Sequence, residues 1–192
     1  MYLKLAFLGM LVAINASPQE SGEAIDIQRS SITIHVGKSG IFAAAAHEHW
    51  VDAPIASGTI DAAGATPSVR FTINARKLSV RPEKGVSDKD QAEVQASMQN
   101  KVLESSVYPE IVFQSTHVQH KGDNAWKVSG DMTLHGVTKL LTLDVAREGG
   151  AYAGTVRIKQ TDFGIQPIKI GGGVVKVKDE LEISFRVYTL AH

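Results

Sequence analysis

The run His47-Glu48-His49 places two imidazoles at i and i+2, and on a β-strand such residues project from one face. Two neutral imidazoles so placed can reach a single zinc, copper or nickel ion. His35, Asp52 or His135 could supply a third ligand. A metal-binding protein or metal-dependent enzyme using His47 and His49 is therefore the alternative reading of this chain. A jelly-roll oxygenase pattern is not met: it wants a glutamate shortly after the histidine pair, where Asp52 stands, and a later Gly-rich segment ending in His. Gly171-Gly172-Gly173, between Lys169 and Lys176, could offer backbone N–H groups and cations to an anion. It has no following helix and no Walker-type Lys-Ser/Thr pair, so it reads as a hairpin. Neither a Gly-x-Ser-x-Gly nor a Ser-His-Asp arrangement occurs, and no residue set calls for a cofactor. Asp88 and Asp90 fall at a predicted helix start, where capping accounts for them.

The elements that must position these groups are mostly strands. Asp131 to Val145 is the clearest stretch: Met132 and Leu134 share one face, with Thr133 and His135 opposite, and Leu141, Leu143 and Val145 alternate with Thr142, Asp144 and Ala146. This is the period of half-buried strands. Gly136 between them can take positive φ at a sharp reversal, so the segment reads as a hairpin or a bent strand. The same alternation recurs at Ile32-Ile34-Val36, Val69-Phe71-Ile73, Ile111-Phe113-Ser115, Val156-Ile158 and Leu181-Ile183-Phe185-Val187. Ile41 to Val51 is a longer alanine-rich run, and Ile55 to Asp61 ends at Ala62-Ala63-Gly64.

One segment breaks the rhythm. Residues 87–103 carry Ala, Glu, Gln, Lys and Met and predict a helix with Ser87 as N-cap, Asp88 and Asp90 at its positive end and Lys101 at the other. Val94, Met98 and Val102 form a narrow apolar stripe on it. Such a helix covers an open end or seam of the sheet, or acts as a mobile lid over it.

At the N-terminus, Lys4 precedes an unbroken apolar run from Leu5 to Ile14, followed by small residues at Asn15-Ala16-Ser17. This is the pattern of a signal peptide spanning 1–16 and cleaved near Ala16, too short to cross a bilayer as a helix. The expected mature product is exported, without stable membrane insertion, in the periplasm. Loss of the leader turns 20 basic and 20 acidic residues into 19 and 20, a formal charge of −1. Lys and Arg are scattered among carboxylates, so nucleic acid is not an expected partner. A weak homodimer is compatible with the sequence. With no cysteine, stability rests on a hydrophobic core, which one domain of this length can bury.

About eight antiparallel strands and one helix suit an up-and-down barrel or a two-sheet sandwich. Four alanines at Ala43 to Ala46 and an aromatic content of 6% argue mildly for unfilled space inside.

Four blocks, His47, Tyr108 to Thr116, Gly130 to Val145 and Thr161-Asp162-Phe163-Gly164-Ile165, together resemble the YceI-like family. The order of the blocks, more than any one of them, carries the resemblance. It implies a mainly β fold, an extended lipocalin-like antiparallel barrel over residues 24–190 with the helix packing at an end. It also implies binding rather than catalysis, with a polyisoprenoid, fatty-acid-like or amide ligand, an apolar lipid-like small molecule, held in the barrel. The physics agrees, since each buried methylene gains about 0.8 kcal/mol and a closed barrel shields the chain from water. On this basis the expected ligand-binding residues are Phe42, His47, Phe71, Ile73, Val94, Met98, Phe113, Met132, Leu134, Phe163 and Phe185. One departure stands out. Many members carry an Arg-Asp-x-His-Leu motif before the helix and a Phe-Phe pair after it, where this chain reads Ser87 to Glu93 and Leu103 to Val107. A head group oriented by that motif elsewhere must be met differently here.

Overall fold

A computed structural model describes residues 22–39, 48–170 and 175–190. The expectations for the leader, Phe42, His47 and Gly171 to Gly173 lie outside the described residues. Among those described, twelve strands form one antiparallel sheet: β1 (Glu23–Ala24), β2 (Ser31–Ser39), β3 (His49–Asp52), β4 (Ile55–Asp61), β5 (Ser68–Asn74), β6 (Ser79–Val80), β7 (Glu110–Gly122), β8 (Ala125–Leu134), β9 (Val137–Glu148), β10 (Ala151–Lys159), β11 (Lys169–Ile170) and β12 (Val175–Val187). Their order is β1-β4-β5-β7-β8-β9-β10-β12-β2-β3-β6, with β11 added to β12. The count exceeds the expected eight chiefly through β1, β6 and β11, two-residue strands too short to show an alternation.

The Asp131–Val145 segment is a hairpin. Leu134 pairs with Val137, leaving His135-Gly136 as a two-residue turn with φ of 52° and 73°. Positive φ at both central positions matches the right-handed strand twist. The sheet curls, and at one end its β1 edge is stitched to the chain following β12. Ile25 bridges Thr189, Asp26 N donates to Tyr188 O at 2.8 Å, and Leu190 N to Ala24 O at 2.9 Å. Inside the curl, Ile32, Val51, Ile55, Ile73, Ile111, Leu134, Ile158 and Val187 belong to a continuous core.

The predicted helix begins where its cap requires. Ser87 Oγ accepts from Asp90 N at 3.2 Å, and helix α1 spans Asp88–Ser97. A π-helical turn, Met98–Val102, replaces the expected α-helical end. Leu103 N donates to Met98 O, five residues back, and this wider turn brings Leu103 into the core.

Candidate ligand-binding cavity

The curled sheet encloses a cavity of about 190 Å³. Alternation builds its wall. β8 contributes Trp126, Val128, Met132 and Leu134, β9 Leu141, Leu143 and Val145, and β12 Leu181, Ile183, Phe185 and Val187. The β8 lining alone, from Trp126 to Leu134, covers about 27 Å of strand at ~3.4 Å per residue. On β7 the alternation changes parity, because a bulge between Ser115 and His117 lets Val118 rejoin the face of Ile111 and Phe113. One end of the cavity is walled by Leu103, Leu134, Gln160 and Ile165, and the other by Asp61, Ala62, Pro67 and Ser68 around the β4–β5 turn. Ala62 is exposed, so the turn end meets solvent.

Three inward positions carry no side chain, and each faces a phenylalanine. A Cβ on Gly154 would stand 2.5 Å from Asp144 O and 2.6 Å from the Phe185 ring. On Gly130 it would lie 2.6 Å from Gln114 O and from Phe113 Cζ. On Gly58 it would lie 2.6 Å from Arg70 O and 2.8 Å from Phe71 Cβ. The rings settle against bare backbone and hug the wall, where larger neighbours would push them into the lumen. Phe71 and Phe113 stack on one another with centroids 5.5 Å apart.

At the Leu134 end, three of the blocks singled out in the sequence meet. The Tyr108 ring packs on His135, with centroids 4.3 Å apart, and a Cβ on Gly136 would come within 2.7 Å of it. A Cβ on Gly164, at φ 75°, would lie 3.9 Å from Val137 Cγ2 and 4.0 Å from His135 Nδ1. His135 Nε2 is 2.8 Å from Glu104 Oε2. Phe163, only 1% exposed, fills the adjoining core, while Thr161 N and Oγ1 donate to the Asp179 carboxylate at 2.9 and 2.7 Å. Those hydrogen bonds, that from the Thr161 hydroxyl foremost, hold the Asp179 carboxyl below its ordinary value.

The sheet edge at β6 is covered by α1 through a ladder of side-chain amides. Gln95 accepts from Val80 N at 2.8 Å and donates to Leu78 O at 2.9 Å. Gln91 donates to Arg81 O, and Gln99 to Ala75 O and Leu78 O, each at 3.1 Å. Residues four apart share one helix face, so this polar row substitutes for a neighbouring strand.

Of the residues weighed as metal ligands, those described, His35, His49, Asp52 and His135, are dispersed into separate pairs. His49 Nδ1 meets Glu83 at 2.5 Å, and Asp52 takes a bidentate Arg81. His35, stacked on Trp50, meets Glu48 at 2.9 Å, and this hydrogen bond holds the Glu48 carboxyl below its ordinary value. Among the described residues no group of three His, Cys, Asp or Glu side chains gathers as for a metal.

Of the residues expected to bind ligand, Phe71, Ile73, Phe113, Met132, Leu134 and Phe185 line the cavity. Val94 and Met98 pack against the core from α1 and its π turn, and Phe163 lies within that core; none of the three is in the lining. The third residue of the helix stripe, Val102, does reach it. Gln160 was not anticipated, although it continues the inward alternation Tyr152-Gly154-Val156-Ile158 by one step and could have been found there.

An antiparallel sheet curled around an apolar cavity defines a lipocalin-like class of barrel. Residues 24–189 match the YceI-like domain family, and the chain belongs to it. A UPF0312 protein of Pseudomonas savastanoi pv. phaseolicola is 37% identical over 93 residues, 43% of this chain and 46% of that protein. A UPF0312 protein of Vibrio cholerae is 36% identical over 74 residues, 33% of this chain and 39% of that protein. The matches thus span less than half the length of these curated relatives. Among solved structures, Burkholderia cenocepacia BcnA superposes with a TM-score of 0.58 at 20% identity, covering 85% of this chain and 98% of that one. A polyisoprenoid binding domain from Saccharophagus degradans gives 0.57 at 15% identity, covering 86% and 96%. At these identities the likeness is one of fold.

Proposed function

We propose that this chain is an exported, non-catalytic carrier that holds a long apolar ligand, an isoprenoid or acyl chain, in its barrel. The observation that carries this reading is the cavity, whose wall is apolar from Trp126 to Leu134 on β8, from Leu141 to Val145 on β9 and from Leu181 to Val187 on β12. Burial of hydrocarbon there gains about 25 cal/mol per Å² of apolar surface, and the glycine-backed phenylalanines leave room for it. That the neighbour from Saccharophagus degradans is a polyisoprenoid binding domain supports the same class of ligand. Export rests on the leader pattern of residues 1–16.

The test is native mass spectrometry with organic extraction of the protein isolated from its own host compartment. A stoichiometric co-purified lipid and an N-terminus beginning near Ser17 are expected. An empty protein that retains a metal, lost in the His47→Ala/His49→Ala variant, would sink the carrier reading.

A further inference from the structure

One joint in the barrel wall is left unsewn. Strand β10 has nine residues and follows β9 through the two-residue Gly149-Gly150 turn, so nine pairs are within its reach; among the described residues three form, from Glu148–Ala151 to Ala146–Ala153. Beyond them, Leu140 to Val145 pair only with β8, and Gly154 to Lys159 only with β12. At ~3.4 Å per residue the six missing pairs leave a seam of about 20 Å. The ladder stops at Gly154. Asp144 O stands 2.5 Å from where a Cβ would be, so β9 steps across the inner face of β10 instead of continuing beside it. At the far end the chain after β10 returns to β9, where a Cβ on Gly164 would lie 3.9 Å from Val137 Cγ2.

The seam is apolar on its inner side and exposed on its outer side. Leu141, Leu143 and Val145 on one lip and Val156 and Ile158 on the other line the cavity. Lys139 belongs to the same inward row, opposite Met132, yet it is exposed and outside the lining, so the inner face of β9 meets water there. On the outer face of that lip Leu140 is 66% exposed. Outside the Gly154 corner a hollow of about 520 Å³ shares Trp126, Val145 and Phe185 with the barrel cavity, so one layer of side chains divides the two.

We infer that the β9–β10 seam is a side passage through which the hydrocarbon chain enters and leaves the barrel. Its lips keep each segment against apolar surface as it crosses, which an end-on route past Asp61 at the β4–β5 turn does not. A slit parallel to the strands passes the chain sideways, with no ladder hydrogen bond to break. The inference rests on the carrier reading and adds the route to it.

Stapling the seam tests it. The chain has no cysteine, so Thr142→Cys/Arg157→Cys, at positions that the hairpin register would set opposite one another, can be bridged with a bismaleimide. Ser129→Cys/Thr142→Cys, a cross-strand pair of the intact β8–β9 ladder, gives the control staple. Stopped-flow mixing with a neutral NBD-labelled prenyl alcohol, then with phosphatidylcholine vesicles, reads loading and release. The seam staple should slow both rates roughly tenfold or more and leave Kd, their ratio, unchanged, while the control staple changes neither. Leu140→Asp, at an exposed position, should slow both several-fold by placing a charge on the lip. Should the double variant fail to fold, the Leu140→Asp rates decide. Unchanged rates in either the seam-stapled protein or Leu140→Asp, equal slowing by the control staple, or exchange quickened by Gln95→Leu and indifferent to the seam staple overturns the passage and leaves the carrier standing. If the unmodified protein does not bind the probe, the carrier reading falls, and the passage with it.

Discussion

Strands β7 to β10 bury Phe113, Val128, Leu134, Tyr152 and Ile158, whereas helix α1, which covers the β6 edge, buries none of its ten residues. The wall is held by ladder hydrogen bonds and hydrocarbon contacts that form together and break together. The covering segment is held by Gln91, Gln95 and Gln99 on backbone groups, by the His49–Glu83 and His135–Glu104 pairs at its two flanks, and by the half-buried Val94, Met98 and Val102. Amide hydrogen bonds near solvent exchange for water at a small net cost, about 1 kcal/mol each. The wall should therefore open only with the whole domain, and the cover by local detachment. A cavity with a rigid wall and a separately releasable edge can admit a long chain without unfolding.

The comparison breaks most visibly at Phe163. Phe163→Ala should cost about 3–5 kcal/mol in urea unfolding. Because Phe163 is outside the lining, probe affinity of the folded fraction should stay unchanged. Gly154→Val forces a Cβ toward Asp144 O and the Phe185 ring; a loss of about 3 kcal/mol should come with reduced lipid loading, read by the same unfolding curves and by extraction. Gln95→Leu removes the acceptor of Val80 N. Hydrogen exchange should show the free energy of local opening of α1 and β6 falling by about 1–2 kcal/mol, with β8 and β9 amides unaffected. Equal acceleration in β8 would show that cover and wall unfold as one unit.

The smallest effect concerns pH. The Asp179 carboxyl is depressed in the folded state, so its contribution is present above the unfolded value of 3.8 and fades as pH falls through the lower folded value. Thr161→Val should raise the Asp179 midpoint toward an ordinary carboxylate in an NMR titration. Stability near neutral pH should change little.

The sheet was legible because alternation survives in one sequence wherever a face is buried, as at Met132-Leu134 and Leu141-Leu143-Val145. Ser87 was legible because capping is local. Positions beyond a bulge were not, since the parity shift at Ser115/His117 is set by pairing with β8 rather than by β7 alone. The glutamine ladder was also hidden. At residues 91, 95 and 99 the sequence shows helix formers, and only the folded chain brings the backbone of residues 75–81 against them. Three of the four blocks that carried the family resemblance secure one end of the barrel through Tyr108, His135, Gly136 and Gly164. They report architecture, while the cavity is written in less distinctive apolar residues.

The Ile25–Thr189 bridge sets the residues just after β1 beside those just after β12 at the β4–β5 end. A short linker could therefore join the two ends covalently. New termini could then be cut at the exposed Gly149-Gly150 turn, where Glu148 pairs with Ala151. Such a circularly permuted barrel would keep every strand neighbour it has now, with its chain ends transferred from the β1 edge to the β9–β10 turn, whose Tyr152 pairs with Val187.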